Sequence, residues 1–166
     1  MTMNIDRRQL MALGTFGLGA LSVPAAASLM GAKGFTHGVA SGEPSQGSVL
    51  LWTRYVGNGD TKLTAELSPN SDFSGVKITG EVEALTDRDH IAKIMVHGLD
   101  PNHWYFYRFI APDGSKSVAG RTRTLPEGPT AQFNIGVVGC SNLPFGYFNA
   151  YAHAAQNVSL DLIVHT

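Results

Sequence analysis

Cysteine is almost missing from this chain. Its 166 residues include one, Cys140, so no internal disulfide staples the fold. Charge is scarce and balanced as well, with 12 Lys and Arg against 13 Asp and Glu and a formal net charge of −1. No basic surplus therefore exists to draw in nucleic acid or an anionic membrane surface. A long hydrophobic run is also lacking. The most apolar stretch, Leu10 to Val23, is too short to cross the ~30 Å of a bilayer's hydrocarbon, so no stable membrane span is expected. Turn formers are plentiful: 19 glycines and 8 prolines point to many turns and a β-rich body.

The amino terminus reads as a targeting segment and is set aside from the fold. Arg7-Arg8 precede the uncharged stretch Gln9 to Ala32, and Ala25-Ala26-Ala27 supplies the small residues a signal peptidase needs. Arg7-Arg8-Gln9-Leu10-Met11 fits the twin-arginine pattern, although Asp6 stands where a serine is usual. An uncleaved anchor is the alternative. The expectation is a twin-arginine signal peptide over 1–27, export by that machinery, and a periplasmic or secreted product of formal charge −2.

From Phe35 to Leu125 the pattern is β. Ser48 to Tyr55 is a strongly β-prone run, and Leu63, Ala65 and Leu67 alternate with polar neighbours. Val76 to Leu85 and His90 to Val96 flank the charged turn Asp87-Arg88-Asp89. Tyr105 to Ile110 and Ser117 to Thr124 flank Pro112-Asp113-Gly114, where proline sets φ and glycine accepts a positive φ. With Thr36 to Ala40, that makes about seven short strands, the pattern of a β-sandwich. In Leu99-Asp100-Pro101-Asn102-His103-Trp104-Tyr105, the leucine, proline and tyrosine have the spacing of the tyrosine corner of fibronectin type III sandwiches. Tyr105 is thus expected to be structural, its hydroxyl bonded to the upstream backbone. Trp52 is expected in the core. Residues 35–125 are read as one sandwich domain and 126–132, rich in proline and glycine, as a linker.

Residues 133–166 change character. Phe133 to Gly139 is a short apolar run ending beside Cys140, and Tyr147, Phe148, Tyr151, Ala154, Ala155 and Val158 recur at helical spacing. Leu160 to Val164 is a second apolar run. Strand, crossover helix and strand make a βαβ unit with parallel strands. Ligands of open α/β sheets collect at the carboxyl ends of the strands, where Cys140 and Thr166 stand.

Three readings of Cys140 compete: an ordinary buried cysteine, a phosphatase nucleophile, or a metal-binding thiolate. The nucleophile reading fails because it needs an arginine six residues on, and Gly146 is there. The other two stay open. Ser141 lacks the Gly-x-Ser-x-Gly turn and reads as a loop residue. Asn142 either lines a phosphate pocket or caps the loop. His37 and Glu43 suit a strand-edge turn, His153 a solvated helix face, and His165 either a packed strand position or support for a neighbouring ligand. Asn157-Val158-Ser159 is a glycosylation sequon by pattern only.

Four separated blocks carry a family resemblance. Phe35 to Pro44 with Val49 to Arg54, Gly120 to Pro126, Val138 to Asn142, and Leu162 to Thr166 occur in the order found in PhoD-type alkaline phosphatases, which they resemble. The resemblance implies a twin-arginine signal, a small fibronectin-like domain, and then the opening of an α/β metallophosphoesterase domain over 133–166. It implies hydrolysis of phosphate mono- or diesters by metal-activated water at an iron–calcium centre. Cys140 corresponds to an iron ligand of that centre, while Asn142 stands as a candidate substrate contact on its own reading as a pocket-lining or loop-capping residue. The aspartate and tyrosine of the family's next block, Gly-Asp-x-x-Tyr, fall beyond Thr166. The expectation is therefore a piece that holds no stable metal centre and has no catalytic residue of its own. An exported, non-catalytic fibronectin-like binding module is the alternative.

Overall fold

A computed structural model describes residues 32–76, 78–140 and 148–166. The signal peptide expected over 1–27, with Arg7 and Arg8, lies outside the described residues, as do Ser141 and Asn142.

Two antiparallel sheets face each other. The first has the order β1-β2-β5, formed by β1 (Gly34–Gly42), β2 (Ser48–Val56) and β5 (Ile91–His97). The second has the order β4-β3-β6-β7, formed by β3 (Thr61–Ser68), β4 (Ile78–Ala84), β6 (Trp104–Ile110) and β7 (Gly120–Arg123). The chain is mainly β, as the spacing of its apolar runs predicts. Alternation sets which side chains face inward. On β2 these are Val49, Leu51, Thr53 and Tyr55, on β3 Leu63, Ala65 and Leu67, and on β6 Tyr105, Tyr107 and Phe109. Burying each of the larger apolar chains contributes about 1.5–3 kcal/mol.

That phase corrects the expectation for Trp52. It lies half-buried on the outer face of β2, opposite Ala40 and Lys93, and Thr53 takes the inward position. The buried threonine is satisfied, its hydroxyl donating to Gly38 O at 2.9 Å. Gly38 has φ +71° and sits in the break of β1–β2 register between Phe35 and Val39, so a local irregularity of the edge strand supplies the carbonyl that satisfies the buried threonine.

The tyrosine corner is present. Tyr105 is completely buried, and its hydroxyl accepts a hydrogen bond from Asp100 N at 2.9 Å. Thr124 closes the same corner from β7's side, donating to Asp100 O at 2.6 Å and accepting from His103 N at 3.0 Å. The turn at Pro112 is also as expected: Gly114 N donates to Ala111 O at 2.9 Å, and Gly114 has φ +83°. The last strand is shorter than its residues suggest. Ser117 Oγ accepts Phe109 N at 2.9 Å and donates to Val118 O at 2.8 Å, so its side chain takes ladder bonds that a backbone carbonyl would otherwise make. Regular pairing resumes only at Gly120.

After the sandwich come β8 (Ile135–Val138), helix α1 (Asn149–Gln156) and β9 (Leu162–His165). β8 and β9 pair in parallel, with Ile135 opposite Leu162 and Val138 opposite His165. The βαβ unit read from the sequence is present. None of its strand or helix residues is buried.

Candidate functional site at the carboxyl edge of the parallel strands

The carboxyl ends of β8 and β9 lie side by side, with Thr166 N donating to Val138 O at 3.0 Å. Two residues past β8, Cys140 is a free, exposed thiol at this edge. The thiol is exposed rather than packed in a core. Asn142, the expected substrate contact, lies outside the described residues.

Beside the thiol the structure assembles a pair that the apolar pattern hides. Tyr151, on the first turns of α1, donates its hydroxyl proton to Gly139 O at 2.9 Å, and the same oxygen lies 2.8 Å from His165 Nε2. A hydroxyl has one proton. With that proton on Gly139 O, the imidazole must be the donor of the second bond, so His165 carries hydrogen on Nε2. The rings of Tyr151 and His165 are 5.7 Å apart. Tyr151 counts as apolar in a helical-periodicity reading, and only the crossover brings it to the strand ends. His165 is exposed at the same edge. His153 is exposed on α1, and His37 is exposed with Nδ1 2.8 Å from its neighbour's Thr36 Oγ1. Glu43 is exposed with φ +46°, a turn conformation. These three stand apart from the strand ends.

A second polar feature lies where the sandwich meets the βαβ unit. A cleft of about 580 Å³ opens there, with Ser41, Tyr107 and Arg121 on one side and Asn157 and Asp161 on the other. Arg121 lies 4.2 Å over the Trp104 ring and donates to Val158 O at 3.3 Å. Arg123 binds Asp161 and Asn102 Oδ1. Burial pushes the Tyr107 hydroxyl at the cleft's floor up to about 12, against a smaller opposing effect of the Ser41 hydrogen bond.

The sequence model of the family described as "PhoD-like phosphatase, N-terminal domain" matches residues 22–126. The chain belongs to the PhoD-like phosphatase family. It is 35% identical over 143 residues to alkaline phosphatase D of Bacillus subtilis (strain 168), covering 79% of this chain and 24% of that protein. A solved structure of PhoD superposes with a TM-score of 0.76 at 31% identity, covering 81% of this chain and 28% of that one. The chain thus spans about a quarter of the length of each PhoD-like phosphatase relative.

The iron–calcium centre expected from the family resemblance needs clustered donors. Among the described residues no group of three or more His, Cys, Asp or Glu stands together, and the carboxyl edge offers one thiol. Iron accepts a thiolate, but calcium takes six or more oxygens, and one sulfur cannot anchor both ions. The described residues alone therefore do not fit the centre. No helix of the described residues is long and apolar enough to cross a membrane.

Proposed function

We propose that this chain forms the amino-terminal part of an exported, metal-dependent alkaline phosphatase or phosphodiesterase. Residues 1–27 serve as a twin-arginine signal, 35–125 as the sandwich domain, 126–132 as a linker and 133–166 as the opening of the hydrolytic α/β domain. Cys140 contributes one thiolate to an iron site whose remaining ligands come from elsewhere in the full-length enzyme, and Asn142 contacts the phosphate ester. The observation that carries this reading is the free, exposed thiol at the shared carboxyl edge of two parallel strands, the place where α/β sheets bind ligands. The chain's 35% identity to an alkaline phosphatase supports the substrate class. Hydrolysis of this kind asks for several anchored cations, and among the described residues no three candidate ligands stand together, so the expected outcome is that the 166-residue chain on its own hydrolyses no phosphate ester. The test is p-nitrophenyl phosphate turnover by the full-length protein and by the 166-residue chain, each with and without chelator. Chelator-sensitive turnover by the full-length protein alone is expected. Metal-dependent turnover by the short chain overturns the inactivity, and an inert full-length protein overturns the hydrolase in favour of a binding module.

A further inference from the structure

The seam between the sandwich and the βαβ unit is organised by one carboxylate. Asp161, the residue before β9, has a side chain only 5% exposed. Its Oδ2 accepts Asn134 N, immediately before β8, at 2.8 Å. Its own N–H donates to Asn134 O at 2.9 Å. The two parallel strands are thereby pinned together at their amino ends. The other oxygen, Oδ1, accepts Nη1 of Arg123, the last residue of β7. Arg123 is oriented from within the sandwich: Nη2 donates to Asn102 Oδ1, and the guanidinium lies 5.4 Å from the Trp104 ring centre, on the residue paired with it across β6–β7.

Apolar burial gives the parallel pair little support. Each strand is four residues long, and Ile135, Val137 and Ile163 are 53%, 70% and 48% exposed. An isolated two-stranded sheet is marginal in water. A charge-assisted, largely desolvated hydrogen bond is far stronger than a surface ion pair, and here it joins three elements at one point.

We infer that Asp161 and Arg123 are positioning residues, through which the sandwich fixes both β8 and β9 and so sets where their carboxyl ends, with Gly139, Cys140 and His165, stand about 13 Å further along. The sandwich is then the template on which the edge of the α/β unit is built. This inference does not depend on the hydrolytic reading, because it is tested without substrate or metal. Hydrogen–deuterium exchange is followed by mass spectrometry on the 166-residue protein and on its Asp161→Asn, Arg123→Leu and Arg123→Lys variants. In Asp161→Asn and Arg123→Leu, exchange across β8 and β9 is expected to rise about tenfold or more, while β2, β3 and β6 stay within about twofold of the parent. Arg123→Lys keeps a cationic donor and is expected to restore most of the protection that Arg123→Leu loses, which a purely packing role would not do. Unchanged exchange in β8 and β9, an equal rise across the sandwich strands, or a lysine variant no better protected than the leucine variant would each overturn the inference.

Discussion

Tyr105→Phe isolates one atom. The ring is completely buried, so phenylalanine fills the same space and the substitution removes only the hydroxyl oxygen. With it goes the acceptor that Asp100 N reaches at 2.9 Å, and a contact of 3.3 Å to Asp100 Oδ2. A net hydrogen bond contributes roughly 1 kcal/mol, and a stranded buried donor costs about 1–3 kcal/mol. Asp100 lies at the surface, where water recovers part of the loss, so about 1–2 kcal/mol is expected. For a domain of this size each kcal/mol moves the melting temperature by about 4–8 °C, giving a fall of roughly 5–15 °C in a calorimetric scan. Tyr151→Phe removes the same atom from the exposed unit and should leave the sandwich transition within about 1 °C. A Tyr105→Phe melting point within about 2 °C of the parent would show that the corner hydroxyl does not hold the loop, and would refute the reasoning.

Three further predictions concern the sandwich. A Cβ added at Gly120 would stand 2.4 Å from Cζ of the buried Tyr107 ring, so Gly120→Ala should cost about 1–3 kcal/mol in urea unfolding, and a neutral result contradicts the packing. Tyr107 should ionise near pH 12, above the ordinary 10.0, seen as a late rise in absorbance at 295 nm that Tyr107→Phe removes. Because its folded value is raised, the associated stability is complete below about pH 10 and lost as pH climbs through about 12; all tyrosines titrating together near 10 would count against this burial. Asp60 is held below its ordinary 3.8 by hydrogen bonds from Thr86 N and then Thr86 Oγ1, each 2.8 Å. Its contribution is therefore present above about pH 4 and lost as pH falls through the lowered value, so the melting-point gap between parent and Asp60→Asn should close on acidification, and a constant gap contradicts it.

The strands were legible because one face of each is buried and the residues alternate accordingly, as in Val49, Leu51, Thr53 and Tyr55. The corner at Leu99-Pro101-Tyr105 and the turn at Pro112-Asp113-Gly114 were legible for a related reason, since their geometry is local. Trp52 was misplaced because bulk suggests burial, whereas the buried Val49, Leu51 and Tyr55 fix the phase of β2, and Thr53, brought inward by it, is satisfied by Gly38 O. The shortened β7 depends on the Ser117 side chain entering the ladder, which composition does not display. At the candidate site, the place of Cys140 just past β8 was legible from the apolar run before it. Tyr151 with His165, and Arg123 with Asp161, are 14 and 38 residues apart. Such pairs exist only once the crossover has closed and the unit has docked on the sandwich, so no local spacing announces them.

The assignment of Cys140 as an iron ligand is tested most directly by metal content. The full-length protein and its Cys140→Ala variant, purified alike, are analysed for iron by inductively coupled plasma mass spectrometry, with hydrogen exchange of β2, β3 and β6 confirming that the sandwich is intact. Iron per chain should fall at least about tenfold in the variant, the size of loss that follows removal of a ligand or of a group supporting one. Equal iron in the two proteins would contradict the assignment.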